Sequence, residues 1–139
     1  MEMEKELLPQ VRPRAHSANV LESQDGRLLV TWFAGLYEGT EDQVGVCAAL
    51  DPRSGAWSEP AIMIRQFAWD GDYWVNEQVV PVETADGETV VYTWASPLST
   101  FRMAGPEDNG RWVRRIPDAR PFRFVWRNGR AEHLECLSG

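Results

Sequence analysis

At 139 residues, 43% hydrophobic and 25% charged, the chain has enough apolar sequence for one folded domain, which excludes a disordered polymer starved of large apolar side chains. Its net charge of −7 and single lysine, Lys5, exclude the dense cations that a nucleic-acid partner requires. No apolar run reaches bilayer length, so no membrane span is expected.

Met1 to Ala15 mixes acids with Lys5, and Pro9 and Pro13 stop any helix early, so residues 1–15 are expected to be an arm. This opening lacks the basic-then-apolar order of a signal peptide. With only Cys47 and Cys136, far apart, a reducing cytoplasmic setting and no structural disulfide are expected; a piece of a longer secreted precursor would look the same. Residues 16–139 are expected to form a single all-β domain.

From Asn19 the chain changes to short runs of Val, Leu, Thr and aromatic residues broken by Gly, Asp and Asn, the pattern of strands and hairpins. Ala18 to Glu22 and Arg27 to Ala34 flank the turn Ser23-Gln24-Asp25-Gly26, whose Asp-Gly supplies the positive φ of a tight hairpin. A third strand is expected over Gln43 to Leu50 and a fourth over Ala56 to Ile64, joined by Asp51-Pro52-Arg53-Ser54-Gly55. The plan then recurs. Val80 to Glu88 followed by Thr89 to Trp94 matches Val20 to Arg27 followed by Leu28 to Trp32 with one residue of slip, and Gly110-Arg111-Trp112 echoes Gly55-Ala56-Trp57. Arg123 to Trp126, the turn Arg127-Asn128-Gly129 and Arg130 to Leu137 make a further hairpin.

Antiparallel four-stranded units at a period of roughly 40 to 60 residues describe propeller blades. The expected division is blade 1 over about 16–65, blade 2 over about 74–117 and a partial blade 3 over about 121–139, a partial β-propeller of about two and a half blades. A β-sandwich of two Greek keys is the alternative. Open strand edges beside a Trp-rich surface lead to a further expectation, a homo-oligomer that completes the ring or a fragment of a larger propeller.

His16-Ser17-Ala18-Asn19-Val20, Asp25 to Gly35, Glu38-Gly39 and Asp42 resemble the opening blade of sialidase-like proteins with BNR, or Asp-box, repeats. Asp51 to Trp57 is similar to a degenerate Asp-box, with Ala49 and Ala56 in place of the usual Ser and Thr, and Trp74-Val75-Asn76 resembles the element that opens the family's second blade. The resemblance covers about residues 14 to 95. The Asp-box is a fold marker: Asp caps a turn, Gly takes the positive φ and Trp packs over the corner.

What this resemblance implies is a hydrolase or binding protein for terminal acidic sugars, built on an Arg cluster for the substrate carboxylate, an Asp acid/base and a Tyr–Glu nucleophile pair. The first Arg of that cluster falls at His16, which lacks the permanent charge and bidentate fork of a guanidinium. Glu38 and Asp42 lie where the family's catalytic carboxylate lies, in a loop that carries Glu38, Glu41 and Asp42, and an exposed acidic loop is the alternative. Trp74 and Asn76 are expected either as a sugar-stacking platform with its polar partner or as a packed blade edge. Tyr37, Tyr73 and Tyr92, the only tyrosines, sit in no nucleophile motif. The Arg residues of the C-terminal third suit either a small anion or a solvated strand face.

No metal, nucleotide or redox cofactor is indicated. His16 and His133 are isolated, no Cys pair has short spacing, and no Gly-rich loop cradles a phosphate. A non-catalytic glycan-binding module and a structural or assembly module are the competing readings.

Overall fold

The computed structural model describes residues 5–103, 112–114 and 116–138. As the alternation predicts, it is all-β and antiparallel; among the described residues the only helical pieces are the short 3-10 turns Leu98–Thr100 and Ile116–Asp118. None is long and apolar enough to cross a membrane.

Sheet 1 is a meander of β1 (Arg14–Glu22), β2 (Leu28–Gly35), β3 (Val44–Leu50) and β4 (Ala61–Ile64) in that spatial order. Sheet 2 begins with the short hairpin of β5 (Phe67–Trp69) and β6 (Asp72–Asn76). β6 and β7 (Val80–Glu83) both pair with β8 (Thr89–Pro97), so they act as one strand broken by a bulge over residues 77–79. An excursion holding the two-stranded pair β9 (Arg102–Met103) and β10 (Trp112–Val113) follows. The chain then returns as β11 (Arg120–Arg127), on the other side of β8, and β12 (Arg130–Cys136).

The C-terminal hairpin therefore completes the second unit and does not start a third. Arg120 to Trp126 pairs residue for residue with Thr89 to Ala95, and this continuous ladder satisfies the edge of β8 that a separate blade would have left bare. The expected second Gly-x-Trp corner falls largely on residues that are not described. Gly110 and Arg111 lie outside the described residues, Trp112 belongs to the excursion, and the last turn of sheet 2 is Arg127-Asn128-Gly129, with positive φ at Asn128 and Gly129. The first Asp-box-like corner forms as its chemistry demands. Arg53 N–H donates to Asp51 Oδ1 at 2.8 Å, Gly55 takes φ +67°, and Trp57 packs against the β2–β3 cluster.

The repeat is visible in the turns. In the first, the N–H of Ser23 donates to Arg27 O and that of Gly26 to Ser23 O; in the second, Thr84 donates to Glu88 O and Gly87 to Thr84 O. Gly26 and Gly87 take φ +82° and +79°, a conformation costly for any residue with a Cβ. Glu22 pairs with Leu28 and Glu83 with Thr89, so the hairpins superpose without slip: Val30 corresponds to Val91, Thr31 to Tyr92 and Phe33 to Trp94.

This correspondence gives each sheet a front and a back. The front of sheet 1 carries Val30, Trp32, Val46 and Ala48 and is covered by Leu8 and Val11 of the arm. Its back carries Leu29 and Cys47, which pack against Val91 and Phe124 on the front of sheet 2. Side-chain hydrogen bonds to one backbone carbonyl fix the join: Thr31 Oγ1 donates to Val79 O at 2.6 Å across the sheets, and Asn19 Nδ2 reaches the same carbonyl at 3.3 Å. The sheets thus stack back to front, the order that neighbouring propeller blades have.

Candidate functional site

The loop between β2 and β3, the end of β6, the end of β8 and the returning strand of the excursion meet at one end of the stack. The loop is held by its own acids and amides. Asp42 Oδ2 accepts from Leu36 N–H at 2.8 Å, and Asp42 Oδ1 lies 2.5 Å from the Thr40 hydroxyl. Gln43 is buried; its Oε1 accepts from Gly39 N–H, and its Nε2 donates to Asn76 O at 2.9 Å, tying the loop to sheet 2.

The excursion is pinned to the same loop. Thr40 and Val113 form an isolated antiparallel bridge, and Arg114 N–H donates to Gly39 O at 2.9 Å. Gly39 has φ +81°, and a Cβ there would come within 2.6 Å of the Arg114 guanidinium. Glycine is favoured by the positive φ, and any Cβ would also displace the guanidinium tip.

Arg114 then lies between two carboxylates. Its Nε is 2.9 Å from Glu77 Oε1 without the N–H pointing at that oxygen, so the contact is an ion pair rather than a directed hydrogen bond; its terminal nitrogen is 3.9 Å from Glu38 Oε1. Glu77 also accepts from Ser96 Oγ at 3.0 Å. Burial pushes the Glu77 carboxyl above its ordinary range, and nearby Glu38 pushes it further; Arg114 and Ser96 oppose the rise without cancelling it.

The residues singled out from the sequence fall into two groups. Glu38, Asp42 and Asn76 come to this end of the stack, whereas His16 lines the pocket under the arm and is linked to Asn76 only through Phe33 and Gly45. It stacks on Phe33 with ring centroids 5.3 Å apart, and Phe33 pairs with Gly45, against which the Asn76 amide packs. His16 Nε2 is buried and makes no hydrogen bond. Asn76 is 0% exposed, and neither its side-chain oxygen nor its nitrogen has a partner. Trp74 does not join them as a platform. It is buried against Phe122 at 5.2 Å, its indole N–H donates to Trp69 O, and Arg120 covers its ring at 5.8 Å, so it is a packed blade edge.

Gln43, Glu77, Ser96 and Arg114 were not legible as site residues. Glu77 directly follows the Trp74-Val75-Asn76 element, but only the bulge turns it toward Arg114. Arg114 comes from an excursion whose docking no local pattern announces. Asp42, taken from the sequence as a catalytic carboxylate, has both oxygens engaged within its own loop.

Among the described residues no cluster of His, Cys, Asp or Glu is arranged to hold a metal ion. Neither protein-family models nor curated proteins give a match to the chain. Among the described residues the arrangement gathers the buried amides of Gln43 and Asn76, the largely buried pair of Glu77 and Arg114, and the exposed carboxylate of Glu38.

Proposed function

We propose that this strand-end site binds a hydroxyl-rich sugar, in the manner of a sialidase-like propeller that has kept the recognition position and not the hydrolytic one. The observation that carries the reading is Asn76. A fully buried amide with no partner at either atom is costly, and such groups persist where a ligand or a functional constraint compensates. Beside it in the chain is Glu77, which with Glu38 and Arg114 supplies carboxylates and a guanidinium of the kind that sugars use.

Charge selects the class of sugar. Among the described residues the Arg114 guanidinium lies between the carboxylates of Glu38 and Glu77, and the Arg expected first in a carboxylate-binding cluster is His16. A sugar carboxylate would meet repulsion here, whereas neutral hydroxyls can donate to Glu38 and Glu77. Binding without turnover is favoured because both oxygens of Asp42 are occupied within the loop. One observation favours hydrolysis instead: the raised Glu77 carboxyl beside Glu38 has the character of a general acid.

Saturation-transfer NMR with neutral monosaccharides and with N-acetylneuraminic acid tests the reading. A saturable signal is expected from a neutral sugar and a weaker one from the acidic sugar, with a loss of about 10-fold or more in affinity for Asn76→Ala. Removing an amide that has no partner should leave folding intact. No binding by any sugar would reject the proposal, and release of chromophore from a neutral glycoside, lost in Glu77→Gln, would turn it into the hydrolase reading.

A further inference from the structure

Among the described residues no element covers the apolar part of the back of sheet 2, which lies beside the Arg123–Glu135 ion pair on the same face. Val82, Tyr92 and Trp94 are 44%, 39% and 47% exposed, and Val80, Tyr92, Trp94 and Pro121 line a shallow groove of about 200 Å³. The register identifies what this face is. Tyr92 and Trp94 stand where Thr31 and Phe33 stand in sheet 1, on the face that sheet 1 uses to hold the front of sheet 2. The chain therefore displays twice a face built to receive a sheet front, and fills it once.

The matching front is also present. The front of sheet 1 corresponds to the front of sheet 2, since Val30 answers to Val91 and Val20 to Pro81. Pro81 is buried at the join, but Val20 is 66% exposed. Over the rest of this front lies the arm, which rests on Trp32 through Leu8 and Val11 and leaves an open pocket of about 420 Å³ between itself and the sheet. Leu7, the next residue along, is 95% exposed. A cover that leaves such a volume and turns an apolar side chain outward is poorly matched to the surface below.

We propose that this apolar part of the back of sheet 2 receives the front of sheet 1 from a second copy of this chain, head to tail, with the N-terminal arm as a cover that must move aside. The new join repeats the one inside the chain. Because the two patches differ, the contact is heterologous and extends to a ring or a filament according to whether its rotation closes. This inference does not rest on the sugar site and would survive its rejection.

Sedimentation of the full chain over a concentration series gives the test. Reversible association into multiples of 15.8 kDa is expected by ~100 μM, with Trp94→Arg weakening it about 10-fold or more. Leu8→Asp, which frees the arm, is expected to strengthen association. Trp94 and Val20 are exposed, so Trp94→Arg and Val20→Arg keep the fold, as circular dichroism would verify. Each alone should stay monomeric at the concentration where the wild type begins to associate. Mixed together they should form a dimer, because each retains the face that the other has lost. A 15.8 kDa particle at every concentration, in wild type and in Leu8→Asp alike, would overturn the proposal. So would association unaffected by Trp94→Arg, or a mixture that does not pair.

Discussion

Phe33 and Trp94 hold the same place in successive hairpins, yet Phe33 is 3% exposed and Trp94 is 47% exposed. Neither residue determines this difference. Phe33 has sheet 2 behind it and Trp94 has no such cover among the described residues, so one kind of apolar position is core in one sheet and surface in the next. The same contrast separates Pro81 from Val20 on the fronts. Strand alternation specifies two faces per strand, and only the stacking of sheets decides which become interior.

The contrast is sharpest in stability. Phe124, fully buried on the filled join, should cost about 3–5 kcal/mol when truncated to Ala, read as a fall in the urea midpoint at unchanged slope. Trp94→Ser, on the unfilled face, should stay within about 0.5 kcal/mol of wild type in a dilute sample. Equal losses at the two positions would mean that the two faces are not distinguished as described.

Gly45→Ala probes how closely the sheets approach. An added Cβ would lie 2.6 Å from Val79 Cγ1 and 2.8 Å from Ile64 Cγ2, so a loss of about 1–3 kcal/mol is expected by thermal melting. A neutral result would show that the join opens easily there.

The smallest expected effect is the pH dependence contributed by Glu77. Its carboxyl is held above the ordinary range by burial, so the folded chain keeps a proton that the unfolded chain releases. The resulting stability is present below the ordinary carboxylate pKa and is lost as pH rises through the raised value. Glu77→Gln should therefore gain on wild type as pH rises through that window, in paired melting curves. A wild type that gains on the variant there would reverse the assignment.

Much of sheet 1 can be read from its residues, because its signals are local. Asp25-Gly26 and Asp86-Gly87 supply positive φ at hairpin tips, and Asp51, Gly55 and Trp57 make a corner within a few residues of one another. The candidate site is legible only in part. Asn76 and Glu38 stand out beside family-like elements, but Arg114 reaches Glu77 through a long excursion, and the two residues announce each other in no short pattern.

The sequence by itself determined that this chain folds into antiparallel meanders, where the turns fall, and which residues alternate across each strand, because backbone conformation and the two-residue period act between near neighbours. Tertiary structure alone decided that the last hairpin joins the second sheet, that Trp74 is enclosed while Trp94 is not, and that Gln43, Asn76, Glu77 and Arg114 share one place. Those outcomes depend on contacts between segments far apart in the chain, and no local preference of either segment encodes which surface the other will present.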